Sequence, residues 1–145
     1  MTVTVDVNVL VGAVNADDPH RDSCVQLVER LASGPGLWHI FWPVVSGFVR
    51  IATHPVIFPR PLSTRTAMEI VDGLTSAPSV RVHGELDGFG EFFRVAQMET
   101  NGGNDVPDAH LVALMRQHGV STIYTRDRGF RRFHGITVKD PSAAG

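Results

Sequence analysis

Four aspartates stand where predicted helices and strands begin or end. Asp6 lies in an apolar segment near the amino terminus, Asp105 and Asp108 open a predicted helix, and Asp127 follows a predicted strand. Carboxylate oxygens are the ligands that hard divalent cations such as Mg²⁺ and Mn²⁺ prefer. These residues indicate a metal site if the fold brings them together.

The helix that carries two of these aspartates is predicted by its own residues. Asp105 is a natural N-cap, Pro107 suits an early helical position that lacks a hydrogen-bond partner, and Gly119 ends the helix. Asp105 and Asp108 are three residues apart, so they are neighbours in the first turn and repel by roughly 1 to 4 kcal/mol. The helix N-terminus offsets part of this repulsion. The simpler alternative is that either aspartate only caps the helix.

Asp6 is an unusual residue for the segment that contains it. Residues 3–11 are rich in valine and predict a buried strand of a parallel sheet, in which an aspartate needs a partner. Alternation places Asn8 on the same face as Asp6, unless the strand ends earlier. Asp127 follows a second predicted strand, residues 121–125. The carboxyl ends of parallel strands meet at one edge of a sheet, so we expect the aspartates to converge there and to bind Mg²⁺ or Mn²⁺. The alternative for each is capping of the next helix.

The rest of the chain alternates between helical and strand patterns without an internal repeat. Proline, glycine and apolar spacing predict the following further segments: a helix around 24–31, a strand at 37–42, helices at 43–52, 63–76 and 85–100, and strands at 80–83 and 136–139. Phe92 lies at the edge of the apolar stripe of the 85–100 helix, where it suits contact with a partner. With 145 residues, we expect one domain spanning residues 1–145.

Composition argues against several classes of protein. No segment approaches the roughly 20 apolar residues of a membrane span, so we expect no membrane association. The single cysteine, Cys24, allows no internal disulfide, so we expect a cytoplasmic protein. The net charge of −2 gives no general attraction for nucleic acid. Four arginines nevertheless cluster around Asp127 and are predicted to contact nucleic-acid phosphates: Arg126, Arg128, Arg131 and Arg132. The alternative for the arginine content as a whole is coding bias.

Three motifs resemble the PIN-domain ribonucleases, specifically the VapC-like toxins of bacterial toxin-antitoxin modules. The motifs are D-V-N-V-L-V, P-D-A-H-L-V-A-L-M and T-R-D-R-G-F, and the resemblance covers nearly the whole chain. It implies a three-layer α/β/α sandwich with a central, mostly parallel sheet. It also implies an antitoxin partner, an RNA substrate and a homodimer.

The same resemblance assigns roles to individual residues. Asp6, Asp108 and Asp127 correspond to metal-binding acids, and Asn8 and Thr125 to residues that support them. The family commonly has a glutamate at the start of the helix after the second strand, whereas this chain has Ser46-Gly47-Phe48. Either Asp105 or Ser46 is expected to take its place.

The expected function is a Mg²⁺- or Mn²⁺-dependent endoribonuclease that hydrolyses phosphodiester bonds with a metal-activated water. Asp6, Asp105, Asp108 and Asp127 are the expected catalytic residues. One alternative is a catalytically impaired PIN-like domain that binds RNA or a partner, which the missing glutamate favours. Another is a phosphatase with an acidic site, although such a site usually contains a lysine and the only lysine is Lys139, near the carboxyl terminus.

Overall fold

The computed structural model describes residues 2–143, so the first residue and the last two of the predicted 1–145 domain lie outside the described part. Strands and helices alternate along it in this order: β1 Val3–Val5, α1 Val7–Val14, α2 Arg21–Ala32, β2 Trp38–Phe41, α3 Trp42–Ala52, α4 Thr64–Thr75, β3 Val80–His83, α5 Phe89–Gln97, α6 Val106–Gln117, β4 Thr122–Tyr124 and β5 Thr137–Lys139. Short 3-10 helices cover Gly103–Asp105 and Arg128–Arg132.

The five strands form one parallel sheet in the order β3-β2-β1-β4-β5. The chain moves from β1 to β3 in one direction and then crosses to β4 on the other side of β1. Since parallel crossovers are right-handed, this reversal places α1 to α4 on one face and α5 and α6 on the other. Contacts agree, because α1 packs on α2 and α3, α3 packs on α4, and α5 packs on α6. The predicted three-layer sandwich is confirmed, with a sheet that is entirely parallel in the described residues.

The reversal of strand order between β1 and β4 decides where a ligand can bind. In open parallel sheets a crevice forms outside the carboxyl ends of the two strands that flank such a reversal. Val5 pairs with Tyr124 at these ends, and the Asp6 N–H donates to the Tyr124 carbonyl at 3.0 Å. Asp6 and Thr125 therefore lie side by side at the crevice.

The prediction of a strand over residues 3–11 was wrong in its extent. The strand stops at Val5, and Asp6 caps α1 by accepting the Val7 N–H on Oδ1 at 2.8 Å. Valine favours strands, but packing on a sheet can override this preference. Helix α1 packs closely against α3, where a Cβ added at Gly47 would lie 2.8 Å from a methyl group of Val7.

The predicted helix over residues 85–100 was too long, and the predicted N-cap of the following helix makes no capping bond. The 85–100 helix begins only at Phe89, because Gly88 adopts a left-handed conformation with φ of 82°. Asp105 precedes α6 as predicted, but its side chain makes no capping hydrogen bond. No helix of the described residues is both long enough and apolar enough to cross a membrane.

Candidate metal and RNA site

Asp6 is held by hydrogen bonds on both carboxylate oxygens. Oδ1 accepts the Val7 N–H, and Oδ2 accepts the Thr125 hydroxyl at 2.9 Å and the Asn8 Nδ2 at 3.4 Å. Thr125 is almost completely buried and also receives Asn8 Nδ2 at 3.2 Å. Asn8 therefore contacts Asp6 as expected, although from the first turn of a helix and not from the same face of a strand.

Asp127 joins the same network through backbone groups. Its N–H donates to the Thr125 hydroxyl oxygen at 2.9 Å, and its Oδ1 accepts the Gly129 N–H at 2.8 Å. Thr125 thus connects Asp6 to Asp127, two residues that are 121 positions apart in the chain.

Asp108 reaches the site from the first turn of α6. Its Oδ2 lies 3.3 Å from Arg132 Nη2, and the same nitrogen lies 3.2 Å from Asp105 Oδ1. Arg132 also donates from Nη1 to the Gly129 carbonyl at 2.7 Å, so the guanidinium has a fixed position. The charge of Arg132 offsets the repulsion between Asp105 and Asp108.

The three expected metal ligands influence one another electrostatically. Burial raises the pKa of Asp6, against the opposing effect of hydrogen bonds from Thr125 and Val7, and the charge of Asp127 raises it further. Burial together with repulsion from Asp6 and Asp127 raises the pKa of Asp108 from 3.8 to about 6, and Arg132 offsets only part of this rise. The site therefore carries more negative charge than its own arginine neutralises.

This donor set fits a hard divalent cation in its chemistry, since it consists of carboxylates with excess negative charge. In the described part of the chain, however, no three Asp, Glu, His or Cys side chains stand close enough to hold one ion together. Binding thus requires side chains to move, and the Arg132 contact with Asp108 is the first that an ion would have to replace.

Comparison with known proteins identifies the family of this chain. The PIN domain family model matches residues 3–136. The chain is 48% identical over 142 residues to Ribonuclease VapC48 of Mycobacterium tuberculosis, covering 97% of this chain and 98% of that protein. It is 35% identical to Ribonuclease VapC43 of the same species, with coverage of 94% and 93%. The chain belongs to the VapC-type PIN-domain ribonucleases.

Solved structures show the same fold at low sequence identity. The VapBC2 complex of Rickettsia felis, bound to a DNA fragment from its promoter, matches with a TM-score of 0.68 and 16% identity over 97% of this chain and 98% of that one. VapC20 of M. tuberculosis, a toxin that cleaves the sarcin-ricin loop, matches with a TM-score of 0.67 and 19% identity, with coverage of 89% and 92%.

The start of α3, where PIN domains usually have a glutamate, packs against the start of α1. Ser46 is exposed on α3 and precedes Gly47, which lies against Val7, the residue after Asp6. Asp105 instead lies beside Asp108 and shares Arg132 with it. The structure thus leaves both residues as candidates to replace the glutamate.

The four arginines of the PIN-domain chain divide into two pairs. Arg126 binds Asp18 at 2.6 Å, and Arg132 binds Asp105 and Asp108, so both are paired within the protein. Arg128 and Arg131 are exposed. Asp18 could not be selected from the sequence alone, because its partner Arg126 lies 108 residues away in the chain.

Proposed function

We propose that this protein is a divalent-cation-dependent endoribonuclease that acts as the toxin of a toxin-antitoxin pair. One observation supports the proposal: burial and the charges of Asp6 and Asp127, which come from two other elements, raise the pKa of Asp108, so the three carboxylates lie near one another at the reversal of strand order. Membership of the VapC-type PIN-domain ribonucleases supports the same activity.

The roles of the residues follow from their contacts. Asp6, Asp108 and Asp127 would hold Mg²⁺ or Mn²⁺, and the ion would supply Lewis-acid stabilisation of the phosphoryl group and make an attacking water more acidic. Thr125 and Asn8 orient the Asp6 carboxylate, as ligand-supporting residues do in metal sites. The RNA 2′-hydroxyl is not needed, so we expect products with a 5′-phosphate and a 3′-hydroxyl.

Arginines beside the acidic site would hold the phosphates that flank the cleaved bond. Arg128 and Arg131 are exposed and follow Asp127 closely in the chain. Arg128→Gln should weaken RNA binding and reduce the dependence of binding on salt concentration, because fewer counterions are released. An unchanged salt slope would contradict this role.

The direct test is cleavage of an RNA pool by the purified protein over a range of Mg²⁺ concentrations, with sequencing of the new 5′ ends. Asp6→Asn is the informative variant, because the asparagine oxygen still accepts the Val7 N–H that caps α1. We expect at least a hundredfold loss of cleavage in Asp6→Asn. Asp72→Asn, on the exposed side of α4, removes the same charge and should cleave normally.

Two outcomes would reject the proposal. Cleavage that survives chelation or the Asp6→Asn change would remove the metal mechanism. RNA binding without Mg²⁺-dependent cleavage would instead favour the catalytically impaired domain, in which Ser46 and the arginine on Asp108 leave the site incomplete.

The proposed antitoxin partner has a suitable apolar groove to occupy. A cavity of about 260 Å³ is lined by residues of α1, α2, α3 and α4 and is almost entirely apolar, with Leu10, Val14, Phe48, Ile70 and Leu74 among its lining residues. An amphipathic antitoxin helix would bury its apolar side there. Leu74→Asp should abolish co-purification with the product of the neighbouring reading frame, whereas Met68→Asp, an exposed α4 position outside that lining, should not.

We further propose a homodimer that buries the exposed apolar side of α5. Phe92 and Val95 of α5 are exposed and line a cavity of about 370 Å³, and Met98, just after α5, is exposed as well. Light scattering of the purified protein should give twice the mass of one chain. Phe92→Glu should give the monomer mass, and an unchanged dimer would place the interface elsewhere.

A further inference from the structure

A polar cavity of about 430 Å³ opens beside the acidic site. It lies between the beginning of α1 and α2 and the segments after β4 and β5, and the following residues line it: Asn8, His20, Ser23, Arg126, Arg128, Asp140 and Pro141. Asn8 connects the cavity to the site, since its Nδ2 donates to Asp6 and its Oδ1 accepts the Arg126 N–H at 3.2 Å. The volume is in the range of ligand pockets. A group in this cavity would lie next to a phosphate at the acidic site.

One wall of the cavity is fixed by Asp18, whose side chain is only 11% exposed. One oxygen of Asp18 accepts Arg126 Nη1 at 2.6 Å, and the other accepts the His20 N–H at 2.8 Å. Burial acts to raise the pKa of Asp18, but these hydrogen bonds and the charge of Arg126 hold the pKa below its ordinary value. Asp18 therefore remains ionised and keeps Arg126 and the His20 loop in place.

The cavity also presents a carboxylate, that of Asp140, whose orientation is fixed. Asp140 Oδ1 accepts the Ser142 N–H at 2.9 Å and the Ser142 hydroxyl at 2.5 Å. These bonds lower the pKa of Asp140, and the charges of His20 and Arg126 lower it further, so all three groups lie near one another. The cavity thus combines an ionised acceptor with a histidine and two arginines.

We propose that this cavity binds a guanine base next to the cleaved phosphate, with the Asp140 carboxylate as the acceptor that selects it. The proposal rests on the nuclease function given above and specifies the base that the enzyme reads. Unpaired RNA bases are recognised by stacking on aromatic rings or guanidinium planes and by hydrogen bonds to their edges. His20 supplies such a plane at the cavity wall.

The preference for guanine follows from the pattern of donors on each base. An ionised carboxylate only accepts hydrogen bonds, and guanine offers two adjacent donors, N1–H and the N2 amino group. Adenine and cytosine place an acceptor beside their amino donor, and uracil has one donor between two carbonyls. Only guanine therefore presents donors alone to the Asp140 carboxylate, whose Oδ1 also accepts the two bonds from Ser142.

The test measures binding of labelled uridine hexamers that contain one central G, A, C or U, by fluorescence anisotropy in the presence of chelator. The wild-type protein should bind the G hexamer about tenfold more tightly than the all-U hexamer. Asp140→Asn should reduce this preference to less than about twofold and should favour the A hexamer, because a carboxamide presents one donor and one acceptor. Asp22→Asn changes a 91% exposed aspartate on α2 and should leave the guanine preference intact.

Cleavage of the same hexamers with Mg²⁺, measured in parallel, separates the two proposals. Cleavage by a wild-type protein that binds all four hexamers equally would refute the guanine site and leave the nuclease standing. Retention of the guanine preference in Asp140→Asn would refute it as well. Absence of cleavage in wild type would refute the nuclease, and the binding data would then decide the base preference alone. If Asp140→Asn does not fold, competition on the wild-type protein decides. 5′-GMP should displace the bound G hexamer at about tenfold lower concentration than 5′-UMP, and equal concentrations would refute the guanine site.

Discussion

Asp108 should destabilise the metal-free protein at neutral pH, so Asp108→Asn should stabilise it. Burial and the charges of Asp6 and Asp127 raise the pKa of Asp108 from 3.8 to about 6. This difference corresponds to a cost of about 3 kcal/mol for ionised Asp108 in the folded protein. The side chain is 23% exposed, and the relaxation of water and of Arg132 reduces the expected gain to about 2 to 3 kcal/mol.

The sign of the effect fixes its pH dependence. Because the pKa is higher in the folded state than in the unfolded state, the folded state binds more protons between these two values. The cost is therefore absent below pH 4, grows between pH 4 and 6 and is complete above about pH 7. Asp108→Asn should match wild type at pH 4 and exceed it at pH 7.5.

Thermal unfolding in chelator measures this difference. A gain of 2 to 3 kcal/mol corresponds to a rise of roughly 5 to 10 °C in Tm for a chain of this size. Asp72→Asn, an exposed aspartate of α4, is the matched control and should shift Tm by less than about 2 °C at either pH. Added Mg²⁺ should raise the Tm of wild type and have little effect on Asp108→Asn. Equal stability of Asp108→Asn and wild type at pH 7.5, or a gain that is the same at pH 4, would refute the reasoning.

Three further variants test the surroundings of the acidic site and the histidine cluster at the end of β3. Arg132→Gln removes the guanidinium that pairs with Asp108, so calorimetry should show that Mn²⁺ binds about three- to tenfold more tightly than in wild type. Weaker Mn²⁺ binding would mean that Arg132 helps to hold the ion. Thr125→Val removes the hydroxyl between Asp6 and Asp127, so Mn²⁺ affinity should fall by about tenfold or more while the far-ultraviolet spectrum stays unchanged. His83 lies between His39 and His118, and burial together with the charges of these two histidines lowers the pKa of His83. Because the unfolded state then binds a proton more readily, the protein should lose stability as the pH falls below about 6.5. Urea unfolding of His83→Gln at pH 7.5 and 5.5 should show a smaller loss, and an equal loss would exclude this histidine as a cause.

Short-range signals were sufficient for the helix that carries Asp108. Pro107 at its start and Gly119 after its end act through the backbone of a few neighbouring residues, and α6 forms where they predict. The prediction of a strand through Asp6 failed because tertiary packing overrode the local preference. Val7, Val9 and Val11 favour a strand locally, but Asp6 caps a helix whose valines pack between α2 and α3.

Other features had no signal that could have revealed them in the sequence. Asp18 is one of many aspartates until the fold places Arg126 beside it, and Asp140 matters only because the end of β5 reaches the cavity next to α2. The pairing of Arg132 with Asp105 and Asp108 likewise depends on how the segment after β4 turns back towards α6.

The sequence alone determined the kinds of charged groups, the local helices and strands and the membership of a family, because these depend on residue types and short spacings. Only the tertiary structure decided which carboxylates share the crevice, which arginine neutralises them and which aspartate faces the cavity. The physical reason is that electrostatic and hydrogen-bond energies depend on distance in space and on burial. Both are set by the strand order, which places β1, near the amino terminus, beside β4, near the carboxyl terminus.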